Sequence, residues 1–357
     1  MRIMLVTDAW EPQVNGVVRT LSRTVDECRA MGHEVEVIHP GLGYNLIPLP
    51  TYSEIKLAIG AKKDIEERFR AFEPEAIHIA TEGTLGHAAR AICLKWKLPF
   101  TTSYHTKFPE YVNARMPFIP ISAGYAFMRR FHNSGNGMMV ATPSMRDHLT
   151  AKGFNNITPW ARGVDTELFH PSKRGLDGGV YKDLPGPIFV YVGRVAVEKN
   201  LEAFLDLDLP GSKVIVGPGP QLEELKRNYP DVHYTGSLSG DELVRHFADA
   251  DVFVFPSFTD TFGLVILEAM ATGTPVAAYH ANGPKDIIPG SNAGAVDDDL
   301  KTACMKALEM KREDCRAYAE KYSWRSCAEE FFTNLKPQPR PERRRFWRRL
   351  RRLGRAG

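Results

Sequence analysis

The sequence predicts an α/β chain of two domains, each a parallel sheet with helices on its faces. Three observations point there. Short β-branched or aromatic runs alternate with amphipathic helical stretches, the pattern of repeated βαβ units. The alternation lapses near residues 162–187, where glycine and proline are frequent, and then restarts. A length of 357 residues is natural for two domains. With 43% hydrophobic and 25% charged residues the chain has the composition of a soluble globular protein. No run reaches the length of a bilayer span, and the opening MRIMLVTD turns acidic too soon for a secretory leader. Cys28, Cys93, Cys304, Cys315 and Cys327 are scattered and never form a C-x-x-C pair. That is the usage of reduced thiols in a cytoplasmic protein, and it argues against zinc or a disulfide framework.

The first domain opens on an apolar strand, Arg2 to Thr7, followed by the loop DAWEPQVNG and an amphipathic helix from Val17 to Met31. Gly16 near the end of that loop is either a turn glycine or a point where backbone approaches a ligand closely. A second strand covers Val35 to His39, a helix Lys62 to Phe72, a strand Ala76 to Ala80, a helix Thr84 to Trp96 and a strand Phe100 to Tyr104. His105 directly follows that last strand, at the edge where α/β sheets place their ligands. Residues 111–131 carry Met116, Phe118, Ile119, Ile121, Tyr125, Phe127, Met128 and Phe131 with Arg115, Arg129 and Arg130. Core packing accounts for part of this; an apolar surface rimmed by arginine would suit a membrane-facing entrance. Gly137 to Ser144 reads as a strand with Ser144 as a cap, and Met145 to Lys152 as a helix.

The second domain restarts with the strand Ile188 to Val192, and the loop GRVAVEKN leaves its end. Arg194 and Lys199 together could neutralise a diphosphate, Asn200 is placed to cap the next helix, and a solvated charged loop is the plainer reading. Lys213 to Val216 begins a strand that Gly217 to Pro220 ends, without the G-x-G-x-x-G spacing of a dinucleotide site. His233 to Gly236 is a strand, and the turn Gly236, Ser237, Leu238 could meet a nucleotide base. Asp241 to Ala248 and Leu300 to Leu335 read as helical.

Residues 252–276, VFVFPSFTDTFGLVILEAMATGTPV, are the densest stretch: a buried strand, a polar loop, then a helix from Gly263 to Ala271 with Asp260 and Thr261 at its start. Asp260 and Glu268, two turns apart, lie near one face, and Glu268 sits within an otherwise apolar helix. Burying an acid there is costly unless a partner offsets it, either a polar ligand or a neighbouring arginine.

The tail from Lys336 carries one Lys and nine Arg against Glu342, a charge of +9 that leaves −6 on the rest of a chain whose total is +3. Such asymmetry calls for an anionic partner. After the stiff KPQPRP linker, Phe346, Trp347, Leu350 and Leu353 form one apolar stripe among arginines that include Arg345 and Arg349. Nucleic acid, an anionic membrane and a disordered basic tail are the candidate readings, and the Trp-bearing stripe favours lipid over nucleic acid.

The stretch 252–276 resembles the signature of the retaining GT-B glycosyltransferases of family GT4, through Glu268, Ala269, Met270, Ala271, Gly273, Pro275 and Val276. Asp260 stands where that signature commonly has Glu, one methylene longer. DAWEPQVNGV, SYHTKFPEY, WARGVDTELFHP, GR…EKN and YSWRSCAEEFF extend the likeness over nearly the whole chain, closest to bacterial diacylglycerol glycosyltransferases, the sulfoquinovosyltransferase-like glycolipid synthases. The resemblance implies a GT-B fold of two Rossmann-like domains facing a central cleft. Residues 1–165 would be the acceptor domain, 166–320 the nucleotide-sugar domain, 321–335 a closing helix and 336–357 a basic amphipathic helix on the membrane. It implies that Arg194 and Lys199 hold the donor diphosphate, which Gly16 covers, that Gly236 and Leu238 meet the base and that Glu268 takes the ribose. Asp260 with Thr261, Phe262, Gly263 and Leu264 would meet the hexose, and His105 the reacting centre. The implied reaction passes a hexose from a UDP-sugar, as substrate and with no cofactor or metal, to a lipid acceptor, at the inner face of the cell membrane. A GDP-mannose-dependent mannosyltransferase and a sugar-nucleotide-binding protein without turnover are the alternatives.

Overall fold

A computed structural model describes residues 1–338 except 14, 50 and 51, with 343, 346, 347 and 350, and gives backbone alone for 49, 52–55, 114 and 115. The chain divides into two compact units, one formed by Met1–Ala161 with Arg325–Gly357 and the other by Arg162–Trp324. The sequence reading sets the first division at 165 and starts the closing helix at 321.

In the first unit β1 (Arg2–Val6), α1 (Gly16–Ala30) and β2 (Glu34–Ile38) make the opening βαβ. The hairpin β3 (Asn45–Leu49) and β4 (Tyr52–Ile59) follows, and the sequence reading has no counterpart for it. Then come α2 (Lys62–Phe72), β5 (Ala76–Ile79), α3 (Thr84–Trp96), β6 (Thr101–Ser103), α4 (Phe108–Arg115), α5 (Ile121–His132), β7 (Gly137–Val140), α6 (Pro143–Ala151) and β8 (Ile157–Pro159). The sheet order is β2-β1-β5-β6-β7-β8, all pairs parallel.

The second unit runs β9 (Ile188–Val192), α7 (Leu201–Leu205), β10 (Ser212–Val216), α8 (Leu222–Asn228), β11 (His233–Gly236), α9 (Gly240–Asp249) and β12 (Val252–Phe255). It continues α10 (Leu264–Ala271), β13 (Val276–Tyr279), α11 (Pro284–Ile287), β14 (Gly294–Asp297), α12 (Leu300–Ala307) and α13 (Arg312–Ala319). The parallel order is β11-β10-β9-β12-β13-β14. Every residue of β9 and β12 is buried, as continuous apolar runs in a sheet covered on both faces must be. Both sheets reverse their strand order once, between β1 and β5 and between β9 and β12.

Four local expectations are corrected. The helical stretch 300–335 is three helices, α12, α13 and α14 (Trp324–Asn334), broken at 308–311 and 320–323. Thr142, not Ser144, caps α6, its hydroxyl accepting from Met145 N–H. Asn200 has left-handed backbone (φ 54°) and no side-chain cap on α7; its amide donates to the Pro256 carbonyl instead. Helix α10 starts at Leu264 behind a left-handed Gly263 (φ 90°), so Asp260 lies in the preceding loop and shares no helix face with Glu268.

The tail is corrected as well. Trp347 and Leu350 are 2% and 9% exposed, packed in the first unit's core with Ile65 and Phe69, and Phe346 packs beside them. The rings of Phe346 and Trp347 lie 6.2 and 6.3 Å from Trp96. The Arg70 guanidinium stacks 4.9 Å above Trp96 and donates to the Leu350 carbonyl, and Arg343 pairs with Glu75. Helices α2 and α3 present an apolar face, and the stripe Phe346–Trp347–Leu350 covers it rather than a bilayer. Arg345, Arg349 and Leu353 lie outside the described residues.

One contact ties the first sheet to its helices. Asp8, at the end of β1, is buried, and its carboxylate accepts from the Leu85 and Gly86 N–H groups (2.9 and 3.3 Å) and the Thr81 hydroxyl (2.9 Å). It therefore caps α3, whose own N-cap is Gly83, from a strand far away in sequence. A Cβ on Gly83 would fall 2.3 Å from Asp8 Cγ, so the cap position must be glycine. Burial raises the Asp8 pKa above its ordinary 3.8, against the lowering effect of these hydrogen bonds. An acid with a raised folded pKa binds protons more tightly folded than unfolded, so stability falls as pH climbs from 3.8 through the raised value. Replacement Asp8→Asn, which keeps a neutral side chain at every pH, should remove that slope in urea titrations across this range; an unchanged slope would assign it to another group.

Candidate functional site

In the second unit the strand-order reversal puts the loops after β9 and β12 side by side at the carboxyl ends, where no neighbouring crossover covers them. Residues 193–200 and 256–263 are these loops. Backbone carbonyls stitch them together. Ser257 and Thr259 hydroxyls donate to the Glu198 carbonyl (3.3 and 3.0 Å), and Asn200 reaches the Pro256 carbonyl at 3.2 Å. The GPGP turn closes the other side. A Cβ on Gly217 would lie 1.9 Å from the Gly193 carbonyl oxygen, and one on Gly219 2.0 Å from that of Val195. These glycines serve backbone packing, with Val195 N–H donating to the Pro218 carbonyl at 2.8 Å.

Lys199 Nζ meets both Asp260 oxygens, at 2.7 and 2.8 Å, with both side chains largely shielded. Arg194 lies 3.9 Å from the buried Glu198 carboxylate. Thus the first acid of the sequence reading pairs with Lys199, and the other cation, Arg194, faces Glu198 in the same loop. Glu198 stands in the quoted EKN run directly before Lys199, and the sequence reading assigns it no role; the structure buries it. Glu268 is 3% exposed on the first turns of α10, and Thr261 and Phe262 are buried in the loop before it. Gly236 ends the edge strand β11 and Leu238 follows it, and the Gly236 carbonyl is taken by Gly217 N–H at 2.7 Å.

In the first unit the corresponding reversal brings the loop after β1 beside the one after β5, which Asp8 and Thr81 bridge. Gly16 is the first residue of α1, capped by Asn15, whose side chain accepts from the Val17 and Val18 N–H groups. His105 follows β6, its Nε2 2.8 Å from Ser103 Oγ and its ring edge-on to Trp160 at 5.6 Å. Behind it lies fully buried His78, and a second buried histidine, His132, joins Thr102 to Glu82 (2.9 Å each). The sequence pattern does not mark His78, because a polar residue inside a short strand carries no periodic signal, nor His132, because the last residue of a helix is weakly fixed by its periodicity. On α4 and α5, Tyr125, Met128 and Phe131 are buried, whereas Phe118 is 80% and Phe127 54% exposed, with Ile121 and Arg130 also at the surface. The apolar run of 111–131 is thus part core and part exposed rim. Among the described residues no group of His, Cys, Asp and Glu could hold a metal ion, and no helix is long and apolar enough to cross a membrane. The five cysteines are all buried thiols.

Comparison with known proteins places these features in context. The family model "Glycosyltransferase Family 4" matches residues 14–168, and "Glycosyl transferases group 1" matches 186–310. A GDP-mannose-dependent alpha-mannosyltransferase of Corynebacterium glutamicum is 32% identical, over 88% of this chain and 82% of that protein. A sulfoquinovosyl transferase of Arabidopsis thaliana is 31% identical, over 88% and 69%. An alpha-monoglucosyldiacylglycerol synthase of Streptococcus pneumoniae is 26% identical, over 86% and 78%. Among solved structures, sucrose-phosphate synthase from Thermosynechococcus elongatus superposes with a TM-score of 0.75 at 18% identity, over 93% of this chain and 97% of that one. The lipopolysaccharide glycosyltransferase WaaG gives 0.66 at 15%, over 92% and 98%.

The Lys199–Asp260 pair makes a stability prediction. Lys199→Ala leaves a shielded carboxylate without its partner and should cost about 1–3 kcal/mol in chemical unfolding. Adding Asp260→Asn should return part of that loss; a double variant as unstable as the sum of both single changes would mean the pair is not coupled.

Proposed function

The chain belongs to the family 4 glycosyltransferases of the GT-B fold, and from that premise we propose that it moves a hexose from a UDP-sugar to a membrane lipid. Glucose or glucuronic acid is the hexose class, diacylglycerol the acceptor, and transfer proceeds with retention and without a metal. The observation that carries this reading is the Lys199–Asp260 pair at the switch point of the second sheet, with Arg194 on the same loop as Lys199 and Glu268 buried on the helix that follows Asp260. An incoming diphosphate competes with Asp260 for the Lys199 ammonium. Once Lys199 and Arg194 turn to phosphate, they stabilise the charge that develops on the leaving group. The Asp260 carboxylate is then released to accept from sugar hydroxyls, with Thr261, Phe262, Gly263 and Leu264 around it. Glu268, on a rigid helix, is suited to the paired ribose hydroxyls, and the Gly236–Leu238 turn to the base. Gly16 and His105 are the substrate-contacting positions of the first unit.

A GDP-mannose donor is the second reading, favoured by the 32% identity to the Corynebacterium mannosyltransferase. A panel of radiolabelled UDP- and GDP-sugars with diacylglycerol in anionic vesicles, resolved by thin-layer chromatography, separates the two. A glycolipid from a UDP-hexose supports the first reading, and one from GDP-mannose alone the second. Nucleotide-sugar binding without product would leave a binding protein. Lys199→Ala should abolish product in the same assay.

A lipid acceptor requires contact with its membrane, at the cytoplasmic face of the cell membrane. With Phe346, Trp347 and Leu350 packed on α2 and α3, the exposed rim of Phe118, Ile121 and Phe127 beside Arg130 is the better-placed apolar surface. Replacing Phe118 and Phe127 by Ser should weaken flotation with anionic vesicles about tenfold or more, given about 1.5–3 kcal/mol per buried phenyl group. Equal flotation would return the role to the arginines of the tail.

A further inference from the structure

Glu82, just past β5, is fixed in both main chain and side chain. It stands between Thr81, which exchanges two hydrogen bonds with Asp8 (2.7 and 2.9 Å), and Gly83, where a Cβ would fall 2.3 Å from Asp8 Cγ. Its Oε1 lies 2.9 Å from Nε2 of buried His132, whose Nδ1 is in turn 2.9 Å from the Thr102 hydroxyl on β6. One carboxylate oxygen is thus spent on the interior. The other, Oε2, has no hydrogen-bond partner among the described residues, and it is not sealed inside, the side chain being 13% exposed. A carboxylate oxygen only accepts. A carboxylate held this way is pre-organised for a ligand that brings a proton.

A line of rings joins this carboxylate to the surface. His132 meets Phe131 at 5.1 Å, Phe131 meets His87 at 4.9 Å, and His87 meets the exposed Phe127 at 5.1 Å. Helix α5 carries both ends of the line, with Ile121 of the apolar rim as its first residue and His132 as its last. At the rise of an α-helix these two are about 16 Å apart.

We propose that Glu82, with His132 as its positioning residue, binds the acceptor: Oε2 accepts from the hydroxyl of a neutral lipid headgroup whose apolar chains lie along the Phe118–Phe127 rim. The site therefore selects a headgroup that donates a hydrogen bond. A phosphate headgroup brings lone pairs and negative charge to the same oxygen and is disfavoured there.

This role rests on the reading of the chain as a lipid glycosyltransferase, but binding is measured apart from turnover. The full chain, with UDP and GDP both present, is titrated calorimetrically with 1,2-dioctanoylglycerol and with 1,2-dioctanoyl phosphatidic acid in neutral detergent micelles. The two lipids differ only where a hydroxyl is replaced by a phosphate. The wild type should bind dioctanoylglycerol about tenfold or more tightly, the scale of a hydrogen bond to a charged group. Glu82→Gln keeps an oxygen for His132 and replaces Oε2 by an NH2 donor, so the preference should vanish. Equal binding of both lipids by the wild type, or an undiminished preference in Glu82→Gln, would overturn the proposal. Should Glu82→Gln not fold, the wild-type comparison and the shorter Glu82→Asp decide by the same ratio. In the transfer assay His132→Ala should raise acceptor KM and leave donor KM unchanged; a lower kcat with both KM values unchanged would refute its positioning role. Absence of transfer from every donor, with the lipid preference intact, would defeat the functional reading and leave the role of Glu82 standing. Transfer without the preference would do the reverse.

Discussion

A parallel sheet covered by helices on both faces leaves polar side chains only its ends. In this protein that constraint acts twice, and each sheet adds a second one by reversing its strand order once. On either side of a reversal the connecting helices depart in opposite directions, so the two loops at that point are not roofed by a crossover. In the second unit these loops bring Arg194, Lys199 and Asp260 together across sixty-odd residues of chain. In the first they bring Asp8 to Thr81 and Leu85. The chemistry of the second unit thus follows from the order of β9 and β12 before any individual side chain is considered.

Much of this was legible in the residues. The limits of α2 and α3 follow from their periodicity, and β9 and β12 from their continuous apolar runs, because burial on one face or on both writes a regular pattern. What escaped was structure held by single contacts. The start of α10 depends on a left-handed Gly263, so an acid three residues earlier reads like a cap while lying in a loop. Asn200 turns its side chain to the Pro256 carbonyl, a partner on another strand's loop that no local reading can supply. The β3–β4 hairpin lacks clean alternation, and Pro48 sits within it. For the site, residue types in the quoted motifs pointed to Lys199 and Asp260 separately; that they pair with each other is a fact of three dimensions.

The tail shows how one amphipathic pattern can serve two surfaces. A stripe of Phe, Trp and Leu among arginines has the same sequence signature whether it meets lipid or the apolar face of a neighbouring helix pair. What decides is the competing surface. Here Phe69 and Trp96 offer one within reach, and Arg70 and Glu75 supply polar partners at its rim. Conversely, the Phe118–Phe127 rim has the weaker pattern, half of it spent on the core through Tyr125 and Met128, yet it is the part that remains at the surface.

The first turn of helix α3 is capped by Asp8, two residues past the opening strand. The isolated segment Thr84–Trp96 has a glycine where a capping side chain would stand, so its N-terminal amide groups lack a local acceptor. They acquire one only when β1 has taken its place beside β5. Completion of this helix is therefore tied to a non-local contact, the longest-range pairing in the first sheet. In the order of synthesis β1 precedes α3, so the cap is made before the helix that needs it.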